Sequence, residues 1–251
     1  MNILLNNKLV SPYILHVGRY NTYWLKELDL IQPKINKDIS IISINNYTQT
    51  PLLFQQNIDI INPQDGFVKI TDKIDCFAAT LATITTEYCL LLDSVDSLIL
   101  KDIDETFIEN FKSLNCDIIF GWDINIHPHF VLKENEATKH LCGGLVFGKT
   151  SKLLELYQTC STIKKELYNP KSFIDHETSE QFWLRLTINF YNKDIVCKID
   201  NNMVCFGSIR GYRKHEGYTY FCETRPDTEK LISNDVLYKY ISNQFWNLYK
   251  N

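Results

Sequence analysis

A single α/β sheet domain is the fold class this sequence predicts, and three observations carry it. Short apolar runs of strand length alternate with amphipathic stretches of helical period over most of the 251 residues. One run, Tyr88-Cys89-Leu90-Leu91-Leu92, is continuous, too short for a membrane span and the right length for a buried parallel strand. That run stops at two carboxylates, Asp93 and Asp96, before a second apolar patch resumes at Leu98-Ile99-Leu100. Unpaired ionised carboxylates are costly away from water, and open α/β sheets take their ligands at the carboxyl ends of strands. Hard oxygen ligands there suit Mn²⁺ or Mg²⁺ bridging to a phosphate. A strand followed by a plain acidic turn is the alternative reading.

In order, Tyr13 to Gly18 reads as a first strand ending at a glycine, followed by a short helix over Asn21 to Leu28. Ile39 to Ile44 is a second strand, Asn45 to Gln56 a polar loop and Ile58 to Ile61 a short third strand. Ile70, Ile74, Phe77, Leu81 and Ile84 recur at three- and four-residue steps, which predicts a helix ending near Thr85-Thr86. After the central strand, Ile103 to Leu114 is helical, with Phe107, Phe111 and Leu114 on one side. Cys116 to Gly121 is a strand, the stretch 124–138 is irregular, and Leu141 to Gly148 is a strand that begins with a glycine pair. Helices follow at Ser151 to Cys160 and Asp175 to Tyr191, then short strands at Asp194 to Lys198 and Met203 to Phe206. A basic loop spans Gly207 to Tyr220, and a last helix runs from about Thr228 to Tyr249.

Composition bounds the function. With 45% hydrophobic and 22% charged residues the chain is globular, and its formal net charge of −4 argues against binding nucleic acid through overall charge. No stretch is long and apolar enough for a membrane span, and the first ten residues lack the basic start and cleavage site of a signal peptide. None of the eight cysteines forms a C-x-x-C pair, and most lie in apolar runs. They read as reduced, buried thiols of a cytoplasmic protein.

Several segments, in order, carry a family resemblance. Leu92-Asp93-Ser94-Val95-Asp96, Phe120-Gly121-Trp122-Asp123 with His127-Pro128, Leu141 to Gly148, Ser179-Glu180-Gln181-Phe182, and Phe221 to Pro226 together resemble the glycosyltransferase domain of the procollagen lysyl hydroxylase family, from about Gly66 to Trp246. The resemblance implies one GT-A domain over residues 1–251, with a mixed, mostly parallel sheet flanked by helices. It implies transfer of a hexose from UDP-glucose or UDP-galactose to a hydroxyl on a protein or glycan. Asp93 and Asp96 would hold Mn²⁺ on the diphosphate, with Cys222 or Glu223 as a further ligand. Val17, Gly18, Ser94, Val95, Asp123, Cys142, Gly143 and Gly144 would line the nucleotide-sugar site, and Glu180 and Gln181 would act on the donor sugar. The loop with Arg210, Arg213, Lys214 and His215 reads as a solvated basic loop or, preceding the family's metal-histidine segment, as one that would close over the diphosphate.

The chain departs from the family at three of these positions. Val95 stands for an aromatic that packs on uracil, Cys142 for an asparagine and Cys222 for the metal histidine. Two alternatives stay open: a domain that binds nucleotide-sugar without turnover, and a non-catalytic interaction module.

Overall fold

The computed structural model describes residues 3–5, 8–16, 30–44, 53–63, 70–95, 97–123, 132–167, 179–192, 194–208, 214–215 and 219–221. Outside these lie the predicted helices at Asn21–Leu28 and Thr228–Tyr249, and the residues Val17, Gly18, Asp96, His127, Arg210, Arg213, Cys222 and Glu223. In chain order the strands are β1 (Ile3–Leu5), β2 (Lys8–Val10), β3 (Ile14–His16), β4 (Ile39–Ile44), β5 (Tyr88–Asp93) and β6 (Ser97–Ile99). They continue as β7 (Ile118–Trp122), β8 (Leu141–Lys149), β9 (Cys197–Ile199), β10 (Phe206–Ser208), β11 (Lys214–His215) and β12 (Thr219–Phe221). The helices are α1 (Asp72–Leu81), α2 (Glu105–Ser113), α3 (Thr150–Leu167) and α4 (Glu180–Phe190).

The continuous apolar run becomes β5, the second strand of a five-stranded sheet ordered β4-β5-β8-β7-β9. Its residues alternate between two cores, as the two-residue period of a strand requires. Cys89 and Leu91 face the side built by α1, α3 and α4, through Ile74, Phe77, Leu153, Leu156, Phe182 and Trp183. Leu90 and Leu92 face the other side, where Phe107 and Phe111 of α2 meet Ile14, Ile99 and Phe206. Those last three residues come from a three-stranded sheet ordered β10-β3-β6. Helices therefore cover one face of the main sheet, and a helix plus a small sheet covers the other.

The expected single sheet is three sheets, the third being β11-β12-β1-β2. The main sheet is mixed but not mostly parallel. β4–β5 and β7–β9 run parallel, whereas β5–β8 and β8–β7 run antiparallel. β8 returns beside β7 with no crossover helix among the described residues, and a direct return of this kind runs antiparallel. The basic segment predicted as a loop contains β11 and β12, and β12 pairs in parallel with β1. The predicted strand at Ile58–Ile61 is reduced to one bridge between Ile61 and Ile42. Asn57, at φ 51°, breaks extended backbone before it, and Ile61 is partly exposed at that edge, at 39%.

Helix α1 is shorter than its periodicity suggests, because Ile70 lies outside it in solvent. Helix α3 is longer, reaching Leu167. Asp104 caps α2 by accepting from the Phe107 N–H at 3.2 Å. No helix among the described residues is long and apolar enough to cross a membrane. The seven described cysteines are free thiols, four of them buried. Burial pushes the thiols of Cys89 and Cys160 up to about 12, which makes them packing residues and not nucleophiles.

Candidate functional site

The end of β5 is tied down by neighbours on three sides. The Ser43 hydroxyl donates to the Leu92 carbonyl at 2.6 Å, and the Leu53 N–H to the Ser94 carbonyl at 3.2 Å. The Gln56 amide, buried at the end of a 3-10 turn over Leu53–Gln56, donates to the Ile99 carbonyl at 2.6 Å and accepts from the Ile99 N–H at 2.8 Å. Asp93 is thus held on the α1/α3/α4 face with its side chain 32% exposed.

Facing it is a residue that the sequence reading passed over. Lys73, the second residue of α1, is buried, and its Nζ donates to Asp93 Oδ1 and, at 3.3 Å, to Glu180 Oε1. Burial alone lowers an ammonium pKa, but the Asp93 and Glu180 carboxylates outweigh it and hold Lys73 above the ordinary lysine range. A lysine in the first turn of a helix also opposes the helix dipole. Its place is explained by the two acids, not by α1.

Both acids reach this lysine because of two glycines. Along β7 and β8, Phe120 pairs with Val146, yet the next residue, Gly121, pairs with Cys142. β8 therefore carries Gly143, Gly144 and Leu145 as a bulge at a point where β7 carries nothing. A Cβ on Gly144 would lie 2.5 Å from Asp93 Oδ2, and one on Gly143 3.2 Å from Glu180 Cγ and 3.3 Å from Gln181 Cγ. The bare backbone is what lets strand, acids and ammonium close up.

Of the predicted site residues, Asp93, Gly143, Gly144, Glu180 and Gln181 are brought together. Ser94 follows directly, with its hydroxyl buried and without a hydrogen-bond partner among the described residues, as is the Gln181 amide oxygen. Val95 lies in the turn beyond. Cys142 sits elsewhere: it packs into the α2-side core with Leu145 and Phe147, across the sheet from Glu180. Asp123 is buried just past the end of β7, its N–H donating to the His140 carbonyl at 2.8 Å and its carbonyl 2.9 Å from His140 Nδ1. Trp122 packs against the His140 ring, centroids 5.6 Å apart.

Tyr157 of α3 is a second addition to the site. Its ring stands edge-on to Phe77, and its hydroxyl is buried without a hydrogen-bond partner among the described residues. Burial raises its pKa well above the ordinary value, and the charges it feels include Lys73, Glu180 and Asp93. Lys73 was legible in the sequence, since it lies four and eight residues before Phe77 and Leu81 on the apolar stripe of α1. Tyr157 gave no such signal, because an aromatic on a helix stripe reads as core.

Asp93 presents a hard oxygen of the kind Mn²⁺ and Mg²⁺ take, partly open to solvent. The other expected ligands, Asp96 and Cys222 or Glu223, lie outside the described residues. Among the described residues no group of three or more His, Cys, Asp or Glu side chains could hold a metal ion. At the far end of the same sheet, by Tyr88 and Lys149, a surface cavity of about 350 Å³ contains none of the predicted residues. Compared with known proteins, the chain matches no family model and no curated relative.

Proposed function

We propose that this domain transfers a hexose, glucose or galactose, from a UDP-sugar to a hydroxyl acceptor. The observation that supports this is Lys73 bridging Asp93 and Glu180 against the buried, side-chain-free backbone of Gly143 and Gly144. Carboxylates accept from sugar hydroxyls and an ammonium donates to them or to diphosphate oxygens, while the side-chain-free backbone lets both acids close on that ammonium. The same acids and glycines carry the motif resemblance.

Lys73 would supply a fixed positive charge beside the departing diphosphate, where negative charge develops as the glycosidic bond breaks. Glu180 and the Gln181 amide oxygen, which has no partner among the described residues, would accept from sugar hydroxyls and orient the ring. Asp93, with Asp96, would hold Mn²⁺ or Mg²⁺, which when bound neutralises charge on the diphosphate. A cytoplasmic location belongs to the same reading and is supported by the free, buried thiols.

A second reading, nucleotide-sugar binding without turnover, is favoured by one observation. Cys142 turns into the opposite core, so its position contributes nothing to the sugar side. Thermal shifts with UDP and Mn²⁺, followed by a hydrolysis assay on UDP-glucose and UDP-galactose, separate the readings. Stabilisation with hydrolysis is expected. Stabilisation without hydrolysis selects the binder, and neither effect sinks both.

A further inference from the structure

A second buried charge pair takes no part in the roles above. Arg185 of α4, five residues after Glu180, is fully buried. Its Nε donates to Glu136 Oε1 and its Nη2 to Glu136 Oε2, both at 2.7 Å, the two-pronged geometry of a strong guanidinium–carboxylate pair. Glu136 also accepts from the Leu132 N–H at 2.6 Å and the Thr138 hydroxyl at 3.2 Å. Asn189, one turn beyond Arg185, donates to Glu136 Oε1 at 3.2 Å, Thr138 Oγ1 at 2.6 Å and the Arg185 carbonyl at 2.7 Å.

Stability alone does not account for this network. Replacing a buried ion pair by apolar residues of similar volume is often neutral or stabilising, so the pair's position between two elements is the feature to account for. The two elements it joins are those that frame the site. Helix α4 carries Glu180 in its first turn. The segment 132–138 leads, through the Leu141 N–H on the Thr138 carbonyl at 3.0 Å, straight into the glycine bulge of β8. The gap to be kept is narrow, since even a Cβ on Gly143 would meet Glu180 Cγ at 3.2 Å.

We propose that Arg185–Glu136 is a positioning pair that sets the distance between the Glu180 helix and the glycine bulge, and through it the Lys73–Glu180 contact. Naming a UDP-sugar as the ligand rests on the reading above; the geometric part does not. A full-length E136L/R185M chain replaces the fork by apolar packing. Its readouts are the rate at which acetic anhydride acylates Lys73, followed by peptide mass spectrometry, and KM against kcat for UDP-sugar hydrolysis.

The double variant is expected to keep a native-like melting temperature while Lys73, no longer held against Glu180, acylates about ten-fold faster, the loss of one good polar contact. KM for the donor should rise about ten-fold, the loss of one good polar contact. A folded double variant with native Lys73 protection and native KM overturns the proposal. Should that chain not fold, R185K keeps the charge but loses the fork, and native Lys73 protection in folded R185K overturns it equally. If the unmutated chain hydrolyses no UDP-sugar, Lys73 acylation alone decides the positioning role, and only the transferase reading falls.

Discussion

Lys73 and Arg185 are both buried cations held by carboxylates, but their surroundings differ in closure and in charge balance. Arg185 and Glu136 have fully buried side chains, and the Glu136 carboxylate accepts from a guanidinium, a backbone N–H, a hydroxyl and an amide. Lys73 is one ammonium between two carboxylates, and Asp93 keeps 32% of its side chain in solvent. A fully buried fork, its carboxylate already accepting from four groups, is shut off from a ligand. A point charge between two acids leaves these three groups with a net negative charge, and one of the acids in contact with solvent. The first arrangement suits holding a shape, the second suits meeting a charged or hydroxylated ligand.

The largest expected effect breaks the closed pair. Arg185→Met leaves the Glu136 carboxylate buried without its counter-charge, and should cost about 3–5 kcal/mol in urea unfolding. A loss below 1 kcal/mol would mean that the pair is not closed. Lys73→Met should cost less, about 1–2 kcal/mol, since Asp93 can turn to water. The same variant should lose the UDP-dependent thermal shift and UDP-sugar hydrolysis altogether.

The Lys73 pKa is raised in the folded protein, so its stabilisation is fully present below the unfolded lysine pKa, about 10.4, and is lost only as pH rises through the higher folded value. The difference in melting temperature between native and Lys73→Met chains should therefore stay flat from neutral pH to about 10.

The two glycines sharpen the comparison further. Gly144→Ala pushes a methyl to 2.5 Å from Asp93 Oδ2 and should displace that carboxylate from Lys73, weakening donor binding about ten-fold or more. Gly143→Ala meets Glu180 at 3.2 Å, where a side chain can shift, and should weaken it less. Equal donor affinities for the two alanine variants would remove Asp93 from the site.

The smallest effect lies at a third pair. Asp75 is bound by Lys164 and Ser161 across α1 and α3. Burial acts to raise its pKa, but those hydrogen bonds and the lysine charges win and lower it. Its contribution is thus present above the unfolded Asp pKa, about 3.9, and is lost as pH falls through the lower folded value. Asp75→Asn should lower the melting temperature slightly at pH 7 and leave it unchanged near pH 2, measured by circular dichroism. Partly exposed pairs of this kind contribute about 1 kcal/mol or less.

Much of the scaffold was legible because its signals are local. β4 begins and ends where the isoleucine run does, and Phe107 and Phe111 face the core from α2 as their four-residue spacing requires. That β5 ends in a carboxylate could be read, whereas its ion pair with the buried Lys73 could not. The Ile58–Ile61 strand misled, because four residues with strand composition say nothing about whether an edge is available to pair with.

By itself, then, the sequence determined the period of each element, the buried character of β5 and the presence of carboxylates at its end. It also placed Lys73 on the apolar stripe of α1 and two glycines at the start of β8. Only the tertiary structure decided that Lys73 meets an acid 107 residues away, that Arg185 closes on Glu136 across 49, and that Cys142 turns from the glycines beside it. It also decided that β8 lies antiparallel between β5 and β7. The physical reason is the range of the forces. Hydrophobic period and helix capping act within a few residues, whereas ion pairing and strand order depend on which surfaces the folded chain brings together.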